Sequence, residues 1–305
     1  MLKNYTLFCC LCLLNAQSIA QTVTKRARAE GDTVVWTKGG SFNVGFANVG
    51  LSNWAGGGQN SISIGAILDA KATRETTKSV WTSYFNYALG GARVGNGSVP
   101  FKKTDDLLVL GTKYGLKIND HWSYSANMEL RTQSAVGLTY RTDPVSGREI
   151  VDRKISNFMA PGYLITGLGF QYKNKIFTAN LNPLANRLTF VLDDELSRAG
   201  AYGVDPGQRI KSDLGPSMLL AMDWNVAENI NWKSQFNGFA KYSDPARIDW
   251  TWDNIIAMKV NKYINVALTT NMIYFNDVRI RQSDGRDIQA IQFKHVLSVN
   301  FGLKF

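Results

Sequence analysis

Leu108-Val109-Leu110-Gly111-Thr112-Lys113-Tyr114-Gly115-Leu116-Lys117-Ile118-Asn119-Asp120-His121-Trp122-Ser123-Tyr124-Ser125-Ala126-Asn127-Met128-Glu129-Leu130-Arg131 is the stretch that decides the fold. Leu108, Leu110, Thr112, Tyr114, Leu116 and Ile118 share one parity. Val109, Gly111, Lys113, Gly115 and Lys117 share the other. After Asn119-Asp120-His121 the alternation resumes, with Trp122, Tyr124, Ala126, Met128 and Leu130 set against Ser123, Ser125, Asn127, Glu129 and Arg131. Residues two apart share a face of a strand. The stretch therefore reads as a hairpin, one face apolar and one polar, closed by a three-residue turn.

Working outward, the same grammar recurs. Trp250, Trp252, Ile256 and Met258 oppose Asp249, Thr251, Asp253 and Lys259. Phe293, Leu297, Val299, Phe301, Leu303 and Phe305 oppose Gln292, Lys294, Ser298, Asn300, Gly302 and Lys304. Weaker members fall at 41–52, 60–72, 79–90, 162–172, 176–191 and 212–226, and further clear ones at 230–238 and 264–274. The phase slips after Phe46 and near Pro183, where bulges or bends are expected. Twelve strands result. The connections 73–78, 119–121, 173–175, 227–229 and 261–263 are short, and most of the intervening ones are longer. Alternation of tight turns with long loops is the habit of outer-membrane barrels, and an even count puts both ends on the tight-turn side.

Composition agrees. The 305 residues carry 34 Lys and Arg against 24 Asp and Glu, a net +10, with 45% hydrophobic and 11% aromatic residues. That is too apolar for a disordered chain. Mean hydropathy is −0.16, and past the N-terminus no apolar run reaches the roughly 18 residues a membrane helix needs. Residues 1–20 read as a secretory signal, with Lys3, an apolar Leu7–Leu14 and the small-x-small ending Ser18-Ile19-Ala20. All three cysteines lie within it, so a mature chain from Gln21 has none, which excludes disulfides and thiolate chemistry. Residues 21–40 are expected to form a periplasmic tail with a small basic patch at Thr24–Arg28, and 41–305 the barrel.

Aromatics gather near strand ends, among them Trp81, Trp122, Tyr124, Tyr163, Trp224, Trp232, Trp250 and Tyr263. Amphipathic rings favour the headgroup level, so Trp122, Tyr124, Trp224, Trp232 and Trp250 are taken as membrane-interface residues. The polar face then lines a lumen, with Lys113, Lys117, Glu129, Arg131, Asp223, Lys233, Asp253 and Lys259 as the candidates. Val299, Phe301, Leu303 and Phe305 form an alternating C-terminal strand ending on an aromatic. This resembles the signal that barrel-assembly machinery reads.

Several stretches together resemble a family. They are Gly50-Leu51-Ser52-Asn53-Trp54-Ala55-Gly56-Gly57 with Asn60, Met128–Gln133, Ser156-Asn157-Phe158-Met159-Ala160-Pro161-Gly162-Tyr163, Gln292-Phe293-Lys294 and Lys304-Phe305. The chain is similar to a domain-of-unknown-function family of outer-membrane proteins from Bacteroidetes-type bacteria. The resemblance implies a barrel and its location and no activity. Gly56-Gly57-Gly58 lacks the Lys-Ser/Thr of a phosphate-binding loop and precedes a strand.

Catalytic constellations are missing. His121 falls in a turn and His295 on the apolar face of the last strand. Two histidines make no His-rich metal site. Asp105-Asp106 and Asp193-Asp194-Glu195 match no calcium-loop spacing and read as solvated loop carboxylates. An enzyme, a cofactor, a metal and nucleic acid as a partner are not expected. The expected fold is a single all-β, twelve-stranded transmembrane antiparallel barrel in the outer membrane of a Gram-negative bacterium. The expected function is passage of small polar or anionic solutes. The alternative is a plugged barrel serving as an accessory subunit, its loops at 134–161 and 192–211 filling the lumen or docking an envelope protein.

Overall fold

The computed structural model describes residues 24–26, 34–49, 61–95, 101–147, 149–281 and 286–304. Twelve long strands dominate: β1 (Val34–Val49), β2 (Ser61–Glu75), β3 (Ser79–Val94), β4 (Lys102–Lys117), β5 (Trp122–Thr132) and β6 (Gly162–Lys173). They continue as β7 (Phe177–Phe190), β8 (Ile210–Ala227), β9 (Ile230–Lys241), β10 (Asp244–Lys259), β11 (Ile264–Tyr274) and β12 (Gln292–Lys304). Each pairs antiparallel with its chain neighbour. β12 also pairs with β1, from Asn300↔Gly45 to Lys304↔Ser41, so the sheet closes into a barrel. Closure leaves no free edge along the paired rows, the condition for crossing a bilayer with strands.

The first strand starts seven residues before the expected boundary at 41, and Thr24–Arg26 pairs with Val34–Trp36. Thr24–Arg26 and residues 34–40 of the segment assigned to a tail thus join the sheet, because β1 has a pairing edge beyond Ser41. The bulge near Pro183 is present. Register shifts between Asn182 and Ala185 toward β8, and between Leu181 and Leu184 toward β6, as expected of a residue with no N–H to give the ladder. Beside it the β6 backbone comes so close to β7 that a Cβ on Gly169 would strike Leu181 and Asn182 main chain. No bulge follows Phe46: the β1–β2 pairing runs unbroken from Val35 to Val49.

Four of the five short turns share one device. Asn119 Oδ1 accepts from the amides of His121 (3.0 Å) and Trp122 (2.9 Å). Asn174 does the same for Ile176 and Phe177, and Asn261 for Tyr263 and Ile264. Thr76 Oγ1 accepts from Lys78 and Ser79. A short polar side chain that bonds amides two and three residues on closes a turn without help from the rest of the fold. On the opposite side the connections are heterogeneous. Tyr242-Ser243 is a tight turn, because β10 begins at Asp244 rather than near 248. The loop after β5 carries a hairpin, Gly137–Thr142 with Glu149–Ser156, and the loop after β7 a helix α1, Asp194–Arg198.

Among the described residues only seven hydrophobic side chains are buried, while forty-five large ones are exposed. A water-soluble fold of this size reverses that proportion. The exposed ones include Leu110, Tyr114, Leu116, Tyr124 and Met128, the expected outer face of the deciding hairpin. On that outer surface Phe236, Trp250 and Tyr274 stack across three strands at 6.1 and 6.2 Å.

Candidate functional site

The inward parity of the strands encloses a cavity of about 2620 Å³. Its lining runs from the short-turn rim (Lys78, Asn119, His121, Lys175) to the long-loop end (Glu195, Ala201, Tyr202, Arg279). Thirteen Lys and Arg and ten Asp and Glu line it, so its walls carry an excess of positive charge.

At the long-loop end the charges are matched. Arg187, buried on β7, donates to Asp249 on β10 (2.6 Å) and Asp213 on β8 (3.3 Å), and lies 4.4 Å over the Phe239 ring. Asp277, on the loop after β11, turns in to pair with Lys211 (2.8 Å) and Lys241 (2.9 Å). Burial would raise the Asp277 carboxyl, but hydrogen bonds from the two lysines and their charge hold it below the ordinary carboxylate value. On β4, Asp106 accepts from the amides of Ser134 and Ala135 and from Lys103, tying the following loop to the wall.

The loops over this end form a structure of their own. Ala160, Val191, Leu196 and Val204 make a small buried cluster with Tyr202 and Ala201 against it. Asp193 caps α1 through the amides of Glu195 and Leu196. It also takes hydrogen bonds from Asn157 (2.9 Å) and Lys154 (2.7 Å), and the latter reaches Glu195 at 3.0 Å. Burial alone would raise Asp193, but the bonds from Lys154, Asn157 and the Leu196 amide bring it down to about 2. Within the acidic run, Asp193 is therefore a helix cap held by an ion pair, while Asp194, paired with Arg209, and Glu195 are exposed to solvent. Asp105 on β4 pairs with Lys294 on β12, four strands away around the wall (3.1 Å).

At mid-height one contact crosses the lumen. Arg131 on β5 meets Asp253 on β10 at 3.5 Å, five strands away around the wall in one direction and seven in the other. Asn271 holds the same carboxylate at 2.6 Å. A side-chain pair reaching from nearly opposite walls narrows the passage more than any pair within one wall. Beneath it Tyr84 on β3 lies over Gly111 and donates to Glu129 on β5. A Cβ on Gly111 would run into the tyrosine ring, so the glycine is what lets Tyr84 span β4.

Of the residues singled out from sequence, Lys113, Lys117, Glu129, Arg131, Asp223, Lys233 and Asp253 all line the cavity. Lys117 pairs with Glu75 (2.6 Å) and Lys233 with Asp223 (3.6 Å). Lys259 does not belong to the lining; it is exposed at the last residue of β10, beside the short turn. Lys71 and Lys173 line the cavity and were not singled out. The alternation Asp69, Lys71, Thr73, Glu75 carried that signal for the first of them.

Trp122, Tyr124 and Trp224 are exposed within four residues of the short turns, with Trp232 half-buried at the same level. Trp81 and Tyr263 extend this ring. Trp250 differs: as the seventh residue of β10 it sits in the middle of the strand, in the aromatic stack. Tyr163 also differs, since it lines the cavity and packs on Phe275 at 5.5 Å. Val299 and Phe301 are exposed on β12. The Leu303 side chain and Phe305 lie outside the described residues, as do the 1–20 segment and the 50–60 stretch. His295 stacks on Phe293 on the outer face, and His121 on Tyr172.

The profile of a family described as a protein of unknown function (DUF3078) matches residues 46–138. No curated protein matches the chain. Among solved structures, an outer membrane channel from Pseudomonas putida F1 is 8% identical, with 95% of this chain and 99% of that one covered and a TM-score of 0.41. The NanC porin is 10% identical, with coverage of 86% and 97% and a TM-score of 0.35. OmpT, an outer membrane protein of Vibrio cholerae, is 8% identical, with coverage of 91% and 98% and a TM-score of 0.30.

Proposed function

We propose that the protein is an integral outer-membrane channel for small polar solutes, with a bias toward anions. One observation carries the reading: a cavity lined by many charged side chains runs between residues of both rims of a closed barrel. The apolar exterior and the aromatic ring near the short turns support a lipid surround, with that rim toward the periplasm. Rings of charged side chains set ion preference in pores, and an excess of Lys and Arg favours anions. Lys113, Lys117, Arg131 and Lys233 are the lining cations assigned to the path. Val299, Phe301, Leu303 and Phe305 are the strand offered to barrel-assembly machinery during insertion.

The test is single-channel conductance of the refolded protein in planar bilayers across a salt gradient. Steady current with a reversal potential on the anion side is the expected result. A folded barrel that passes no current overturns it.

A second reading is favoured by the two loops with their own core, whose Leu196 and Tyr202 reach the cavity. In it the barrel is closed at that end and serves as an accessory subunit of an outer-membrane assembly. Isolation in mild detergent with a stoichiometric envelope protein supports this reading, and a lone monomer counts against it.

A further inference from the structure

We propose that the short-turn half of the lumen holds a binding site for a small multivalent oxyanion, made by Lys71, Lys113 and Lys173. The proposal rests on the channel reading and names where in the path an anion rests. Most lysines and arginines of the strand walls have carboxylate partners: Arg187, Lys117, Lys211, Lys233, Lys241 and Lys294 all do. Lys71, Lys113 and Lys173 line the cavity and form no ion pair among the described residues.

The register shows how two of them meet. One row across the wall reads Gly39↔Lys71↔Tyr84↔Gly111↔Glu129, and the row beneath it reads Thr73↔Thr82↔Lys113↔Asn127. Lys71 thus has a glycine on one side, which leaves room beside its stem. Thr73 and Thr82, 3.1 Å apart, place two hydroxyls in the Lys113 row, one row below Lys71. Lys173 comes from β6 at the short-turn rim. The three are close enough to bear on one another's charge: Lys71 and Lys113 both feel Lys173, and Lys113 feels Lys71. The charged groups facing them are Asp69, one row above Lys71 and held by Asn86, the Glu75–Lys117 pair below, Glu129, already bonded by Tyr84, and the Asp223–Lys233 pair.

Three ammoniums and two hydroxyls, with each nearby carboxylate already held by another side chain, suit a ligand that brings two or more negative charges and several acceptor oxygens. Phosphate esters and polycarboxylates share that chemistry. The arrangement sits on the short-turn side of the Arg131–Asp253 contact, so a solute crossing the lumen meets the two in sequence.

The experiment uses the refolded full-length protein, with pyrophosphate and citrate as probes at low salt. Calorimetry in detergent measures binding, and block of chloride current in bilayers measures occupancy of the path. Saturable binding is expected, with stronger block from the short-turn side. Lys71→Gln, Lys113→Gln and Lys173→Gln each weaken binding about tenfold, the effect of removing one charge-assisted hydrogen bond. Lys262→Gln, in an exposed short turn, leaves it unchanged. Binding of pyrophosphate alone assigns phosphate-bearing solutes, and of citrate alone polycarboxylates. Anion-selective current without saturable binding, or binding that the triple variant retains, overturns this site and leaves the channel standing. Lysine-dependent binding by a barrel that passes no current overturns the channel and leaves the site.

Discussion

At the short-turn end of the barrel, four of five connections are closed by one Asn or Thr side chain each, and three lumen lysines have no carboxylate partner among the described residues. At the long-loop end, connections bury a core of their own, and almost every wall charge has an opposite within 4 Å. The difference assigns separate tasks to charge. Where loops must be held over the mouth, ion pairs and amide-bound carboxylates position the chain. Where the turns hold themselves, the wall is free to keep cationic groups facing solvent in the lumen.

The largest effect expected on this contrast is at Arg187. Asp249→Ala removes its shorter carboxylate contact and leaves a buried guanidinium with Asp213 alone, costing about 3 kcal/mol. Urea unfolding in lipid measures it, and a loss comparable to an exposed pair would erase the distinction between the two ends. Next comes the contact across the lumen. Arg131→Ala removes a bridge worth about 1 kcal/mol, roughly a fivefold change in a barrier-limited rate. Single-channel current rises accordingly, and the double swap Arg131→Asp with Asp253→Arg restores the smaller current if the bridge itself is the restriction.

Asp193→Ala removes a helix cap worth about 1 kcal/mol together with the Lys154 ion pair. Proteolysis within 133–161 and 191–209 then accelerates while the barrel stays intact. The acid response has a defined sign. The Asp193 carboxyl is depressed to about 2 in the folded chain, so its contribution is complete above the ordinary carboxylate value near 4 and is lost as pH falls through 2. Loop cleavage by an acid-active protease should rise only in that window. The smallest effect belongs to the self-closing turns: Asn174→Ala costs about 0.5–1.5 kcal/mol, the net value of a hydrogen bond, and leaves conductance unchanged.

Much of this was legible in the sequence because a barrel strand is a local pattern. Leu108 to Arg131 displays its two faces and turn within 24 residues, and Pro183 announces its bulge without reference to any partner. Asp193 was legible in principle: an acidic residue before Asp-Glu-Leu is a helix-start signal, but the run of carboxylates drew a reading in terms of solvent. What could not be read is whatever depends on the far wall. Arg131 and Asp253 are adjacent only because the sheet curves through a full ring, and the Arg187 contacts with Asp213 and Asp249 skip 26 and 62 residues. Period-two alternation says which face a side chain is on, never which residue looks back at it. For the same reason Lys259, correct in parity, falls at the rim: parity carries no information about height.

One consequence concerns time rather than geometry. Eleven of the twelve barrel seams join strands adjacent along the chain, whereas the twelfth joins Gly45 to Asn300, 255 residues on. The eleven can zip in succession as the polypeptide arrives, each closing a small loop. The last has to wait for nearly the whole chain, and among the described residues it rests on five residue pairs, from Asn300 to Lys304. Until that seam forms the sheet is an open ribbon with two unpaired edges, and the seam that closes it has the largest sequence separation in the barrel.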